Sequence, residues 1–457
     1  MAHFKGLRGF RSEITVFLSL LLSGLFAFLL ALTESLRFQG AALQAELSME
    51  EALFSCFGEY SQKLFERYEL LYIDTGYRTE AGDLNRVRDH LTEYLTENLK
   101  EDRLYGLSCE DMKITQYMLA NDGEGGAMMN QAIAYMKEYG ENRFLSAMEE
   151  NFVDYFSVPD EDRFFRVFDE LSGSLRESGL TEYPVEYIRE LRDSEEYLLL
   201  QGTSGMFYSV GDTDVPSKRG LNEGAYPPEK CVPLEGRPAH EVFTEYLLQK
   251  LGCYTESVGE QALSCELEYL INGALSDREN LKAVTGKLLS AREEVNLCVI
   301  LNSPDMLYEA EELAARYCNG APEEKAVLSE AIIYAWAYAE ALIEVNRLLC
   351  GGRCDPSPVR SSFILPLDEM SRVSDYLGAG GGSGFSYKEY LGFLIRETNA
   401  GNRVNIRKRF MDIVELDMRK SENESFRIDG CVEYIEAECR LLSDYGFHRS
   451  IRRSFAY

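Results

Sequence analysis

The sequence predicts an α+β protein: an N-terminal transmembrane helix continuing into a long stalk helix, followed by helix-rich exterior domains with small mixed sheets. Three observations carry this. Ile14 to Leu32 reads ITVFLSLLLSGLFAFLLAL, 19 residues without a charge, which as a helix span about 28 Å, close to the hydrocarbon thickness of a bilayer. Leu36, Leu43, Leu47, Leu53, Phe54, Phe57, Leu64, Phe65 and Tyr68 then recur at mixed three- and four-residue spacing with no Pro among them, as an amphipathic helix requires. Beyond them, short alternating runs interleave with helical periods, the order of an α+β unit.

The elements follow in order. Glu69–Asp74 is a short apolar run closed by Thr75-Gly76 and predicts a strand. A helix is expected over 83–99, a strand over 111–118 and a helix over 126–137. From 202 to 238 Gly, Pro, Ser and Asp accumulate without a period, predicting a linker or long loop. Helix resumes over 239–250. SCELEYLIN at 264–272 alternates Cys265, Leu267, Tyr269 and Ile271 against Glu266, Glu268 and Leu270, the pattern of a strand. Helices are expected over 276–300, 303–317 and 323–349, the last carrying the single Trp, Trp336. Ser386 and Glu389 form a capping box that opens another helix, a further helix covers 402–418, and two strands close the chain over 427–442 and 446–457. The expected organisation is a cytoplasmic tip (1–13), a transmembrane helix (14–32), a stalk helix with a small α+β domain (33–201), the linker (202–238) and a helix-rich α+β domain ending in two strands (239–457).

Charge orients this plan. The 457 residues carry 77 acidic and 47 basic side chains, a formal net charge of −30. That excess opposes binding to nucleic acid, which depends on Lys and Arg neutralising phosphates, and to anionic lipid headgroups. Lys5, Arg8 and Arg11 precede the apolar segment, offset by Glu13 alone, so the basic excess places the N-terminus in the cytoplasm and the bulk of the chain outside. The part beyond Leu32 then carries −32, with 44 basic and 76 acidic residues. Three fates are open to the apolar segment: a cleaved secretory signal, for which Ala31-Leu32-Thr33-Glu34-Ser35 is a poor site; a prepilin-type signal, with Gly9 and Glu13 before the helix but the Glu one position early; and an uncut signal anchor, which length and flanks favour. Inside the span Thr15, Ser19, Ser23, Ala27 and Ala31 recur every four residues. Small residues at that spacing admit a partner helix or a second copy at close range, though they are also common in spanning helices generally.

Motifs for catalysis or cofactors do not emerge. Gly378-Ala379-Gly380-Gly381-Gly382-Ser383-Gly384 lacks the Lys of a phosphate loop and predicts a flexible connector. His3, His90, His240 and His448 lie outside chelating spacing. Asp212 and Asp214 begin like a calcium loop but lack its Gly and Glu, and predict a turn. No G-x-S-x-G elbow occurs. Among eleven cysteines, Cys350-Gly-Gly-Arg-Cys354 is the flexible pair able to close a small disulfide, against the alternative of reduced thiols scattered through the core. Glu340 sits on an apolar helix, where a carboxylate needs a partner; Arg292 is the expected one, with a perturbed acid in a pocket as the functional alternative.

Several stretches together, ITVFLSL at 14–20, ESLR at 34–37, LFERYELLYID at 64–74, ELEYL at 266–270, SDRENL at 276–281, AWAYAE at 335–340 and GFSYKEYL at 384–391, resemble a domain-of-unknown-function family of Gram-positive bacterial membrane proteins associated with tight-adherence (Tad/Flp) pilus loci and distantly similar to TadE/TadG-like pseudopilin components. The resemblance implies a single-pass, exterior-facing component of pilus or secretion assembly that is not an enzyme, takes no cofactor, and meets other apparatus proteins or a second copy through its N-terminal helix. It carries no catalytic residues to assign. A cell-surface binding or sensory module on a membrane tether is the alternative.

Overall fold

The computed structural model describes residues 4–78, 82–101, 105–140, 170, 173, 187–188, 190–191, 214–227, 232–318, 322–378 and 380–457. It is an α+β fold, 63% helical. The first helix, α1 (Phe4–Phe57), runs from the apolar segment through the stalk without interruption. Its apolar stretch makes it a candidate membrane anchor near the N-terminus. It is followed by α2 (Gln62–Tyr68), β1 (Ile73–Asp74), α3 (Leu84–Glu101), β2 (Leu107–Leu119) and α4 (Asp122–Tyr139). The run at 69–74 contributes to the sheet only at its last two residues. The expected linker is described at 214–227 and 232–238, its last two residues already opening the next helix, while 202–213 and 228–231 lie outside the described residues.

The second half contributes α5 (Arg237–Lys250), α6 (Glu266–Asn272), α7 (Asp277–Leu301), α8 (Pro304–Tyr317), α9 (Pro322–Leu349), β3 (Arg353–Cys354), β4 (Phe385–Ser386), α10 (Tyr387–Ser421), β5 (Cys431–Ser443) and β6 (His448–Ala456). The Ser386–Glu389 capping box opens α10 as expected. That helix then continues through the segment expected to separate two helices, so the 402–418 helix is its second half.

One expected strand is a helix. SCELEYLIN forms α6, ended by Gly273 in the left-handed region. The alternation misleads because Glu266 and Glu268 do not face water. Both are fully buried, Glu266 accepting the N–H of Gly252 at 2.7 Å and Glu268 that of Tyr254 at 3.0 Å. A polar residue with a buried partner looks in sequence like a solvent-facing one, and an element buried all round has no amphipathic period to read.

β5 is the centre of the main sheet. It pairs antiparallel with β2 along one edge, from Leu107↔Ser443 to Leu119↔Val432, and with β6 and β1 along the other. The sheet thus joins segments more than 300 residues apart in sequence. One core lies between it and the pair α1 and α3, built from Ala45, Met49, Ala52, Leu91, Leu95, Ile435, Ala437 and Leu441. A larger one fills the helical body around α9, with Trp336, Leu342, Phe410 and Tyr246.

Ion pairs inside that body hold its helices in register. Arg292 of α7 is fully buried and grips Glu344 of α9 through two bonds of 2.6 and 2.9 Å, while Asn296 donates to the same carboxylate. The partner of Arg292 is therefore Glu344, one turn beyond the expected Glu340. Arg219 bridges Glu415 and Asp429 in the same way. Arg67 of α2 reaches Glu266 and Asp417, with the Tyr68 hydroxyl donating to Asp417 at 2.6 Å. Desolvation pushes Glu266 and Asp417 above the usual carboxylate range.

Candidate functional site

Two features of the described residues stand out, one face of α1 and a cavity in the helical body. At 100° per residue, Leu36, Leu43, Leu47 and Phe54 fall within an arc of about 40°. All four are exposed, at 60%, 60%, 46% and 70%. Leu18, Leu25 and Leu29 of the apolar segment lie on the same line, so the stripe extends about 54 Å without leaving one side of the helix. The opposite side is where α1 packs on the sheet, through Ala41, Ala45, Met49, Ala52 and Cys56. Ion pairs of Glu46 with Arg449 and Arg453, and of Glu50 with Arg453, clamp α1 onto β6. Arg37 covers the Tyr445 ring at 3.8 Å. The exposed leucines are therefore on a helix fixed by its other face.

The small residues run elsewhere. Thr15, Ser19, Ser23, Ala27 and Ala31 are all exposed, and each step of four turns the row by about 40°, so it winds from beside the leucine stripe toward the side that faces the sheet lower in the stalk. Ser19 and Ser23 donate to the carbonyls of Val16 and Leu20 at 2.8 and 2.9 Å. With their hydroxyls satisfied within the helix, they present small, nearly apolar surfaces.

The cavity, about 830 Å³, opens between α8, the Trp336 turn of α9 and residues 359–368. Arg316, Glu312 and an Arg360–Glu309 ion pair ring it, over a floor containing Trp336 and Phe363. Glu340 does not enter it as a free acid. Its two carboxylate oxygens accept the N–H groups of Ile364 and Leu365 at 2.7 and 2.9 Å, and the Trp336 indole donates to the Leu365 carbonyl at 2.9 Å. Burial, reinforced by the neighbouring Glu344, pushes Glu340 up to about 8 despite those donors. Glu340 thus positions the wall of the cavity.

The other expected features resolve differently. Cys350 and Cys354 are free thiols: Cys350 is exposed, whereas Cys354 is buried in β3 and donates to the Glu344 carbonyl at 3.4 Å. The Cys350 thiol instead donates to Asn346 Oδ1 at 3.9 Å, so the two sulfurs take separate acceptors. The glycine segment is pinned rather than flexible. Gly378 donates to Asn346 and Arg353 donates to the Gly381 carbonyl at 2.7 Å each. Gly382 and Gly384 hold positive φ where a Cβ would strike the carbonyls of Arg353 and Cys354. The loop spends its glycines on close packing against β3. Asp214 pairs with Arg419 and Arg427; Asp212 lies outside the described residues. The leucine stripe was visible in the periodicity, but sequence alone did not divide its apolar positions into packed and exposed faces.

Residues 174–442, more than half the chain, match the model of a family of unknown function, DUF5702. The matched span includes α5 through α10 and nearly all of β5, and with them the cavity and the Arg292 and Arg219 ion pairs; α1 and Arg67 precede it. No curated protein and no solved structure matches. The chain belongs to the DUF5702 family, which is of unknown function.

Proposed function

We propose that this is a single-pass membrane protein with its N-terminus in the cytoplasm and its bulk outside the cell, acting through protein contacts along α1 as a pseudopilin-like or accessory component of a Tad-type pilus or secretion assembly of Gram-positive bacteria. The observation that carries it is the exposed stripe from Leu18 to Phe54. Its lower half suits lipid, but Leu36, Leu43, Leu47 and Phe54 lie beyond the span, where continuous apolar surface marks a contact site. The assembly class rests on the sequence resemblance; the orientation rests on Lys5, Arg8 and Arg11.

Leu36, Leu43 and Leu47 changed together to Ser should release membrane proteins that copurify with the detergent-solubilised chain while leaving its melting temperature unchanged; partners retained by this variant overturn the reading. Thr15, Ser19 and Ser23 changed to Leu test contact within the membrane in the same way. For orientation, a membrane-impermeant maleimide added to intact cells should label the exposed Cys298 and Cys350, and labelling only after lysis reverses the topology.

A cell-surface binding module is the second reading, favoured by the cavity at Trp336 and Arg316. Retention of partners by the helix variants with loss on Arg316→Glu would select it.

A further inference from the structure

The cysteines that approach one another are far apart in sequence. Cys109 on β2 and Cys439 on β5 stand with their sulfurs 3.1 Å apart, across 330 residues of chain. The register explains the approach. Cys109 lies opposite Leu441 and Met112 opposite Cys439, and a bulge between Cys109 and Asp111 swings Cys109 diagonally onto Cys439. The distance is about 1 Å longer than a disulfide bond of ~2.05 Å, on a paired backbone that already fixes both residues. Cys439 is fully buried under α1 and α3, whereas Cys109 is partly exposed on β2, the last strand of its sheet path.

We propose that Cys109 and Cys439 are an oxidisable pair that forms a disulfide joining β2 to β5, closing the sheet beneath the stalk covalently. The oxidant is a disulfide, either a small-molecule disulfide or that of a thiol oxidoreductase. The Cys109 thiolate attacks one sulfur of the oxidant, whose other sulfur leaves as a thiol, giving a mixed disulfide. Cys439 then loses its proton and attacks the Cys109 sulfur, expelling the second thiol. Two protons and two electrons pass to the oxidant, and one S–S bond is broken for each one formed. The hydrogen bond from Cys439 holds the Cys109 thiol below its ordinary range and, reciprocally, raises Cys439, which assigns Cys109 the first attack. Elsewhere burial raises Cys56, Cys253, Cys265, Cys354 and Cys431, and Cys298 and Cys350 are exposed.

The test needs no knowledge of the cellular compartment. The full chain in detergent is equilibrated with oxidised glutathione, alkylated under denaturing conditions and digested without reductant. A peptide pair linking Cys109 to Cys439 in most molecules, with two fewer alkylated thiols per chain, is the expected result. Reductant should then lower the melting temperature of the wild type but not of Cys109→Ser. Glutathione retained on Cys109 without the link, alkylation of both sulfurs, or a link from either cysteine to another residue overturns the proposal. Cys439→Ala, which leaves no buried hydroxyl, should strand Cys109 as the mixed disulfide and thereby report the order of attack.

Discussion

Among the described residues two helices are long and apolar enough to cross a membrane, α1 from Ile14 and α9 from Pro322 to Leu349, yet their surroundings are opposite. The most apolar window of α1 is 0% buried, whereas that of α9 is 78% buried. The difference lies in their polar residues. Glu340, Glu344 and Asn346 of α9 each engage groups elsewhere in the fold: the 364–365 backbone, Arg292 and Gly378. The leucines of the α1 stripe are exposed among the described residues, and at its end Phe54 meets the Phe455 ring edge-on. A helix whose apolar surface is covered and whose buried charges are paired is core, and one whose apolar face stays exposed awaits lipid or protein.

That contrast can be broken by measuring what each helix contributes to stability, with Trp336, the single and buried tryptophan, as the fluorescent reporter of unfolding in detergent. The largest loss should come from Arg292→Ala, which leaves Glu344 as an uncompensated buried charge and should cost about 3–5 kcal/mol; a loss below about 1 kcal/mol would mean that water reaches the pair. Leu342→Ala, at a fully buried position on α9, should cost about 2–5 kcal/mol by leaving a cavity.

Next is a pH effect. Glu340 is raised to about 8 and Glu268 to about 7, both chiefly by desolvation. The folded protein therefore holds protons that the unfolded chain releases, so each group favours folding most below its unfolded value of about 4.5, and its contribution falls as pH rises to about 8 and about 7 respectively. The slope is at most ~1.4 kcal/mol per pH unit for each group. Glu340→Gln should flatten the decline between pH 5 and 8; an unchanged profile would show that the two N–H donors outweigh burial. The smallest effect is expected on α1. Leu43→Ser, at an exposed position, should shift stability by no more than about 0.5 kcal/mol while weakening the association proposed above, and a large destabilisation would mean the stripe packs on this chain after all.

Much of the fold was legible residue by residue. The 3.6-residue period placed α3, α5, α7, α8 and α9 within a few residues, because each buries one face or begins at a Ser or Pro that marks its start. It failed at α6, where Glu266 and Glu268 are polar and buried together. It also missed that α10 is continuous. The candidate site was half legible: Leu36, Leu43, Leu47 and Phe54 were periodic apolar positions, but their exposure follows from which side of α1 the sheet occupies.

The sequence by itself determined the apolar span, the acidic bulk, the helix periods and the capping box, since these depend on neighbours within one or two turns. Tertiary structure alone decided that Arg292 takes Glu344, that Glu340 holds a loop, and that Cys109 meets Cys439 rather than Cys350 meeting Cys354. Those pairings join residues tens to hundreds of positions apart. Strand register and helix packing bring them together, and no local pattern encodes either.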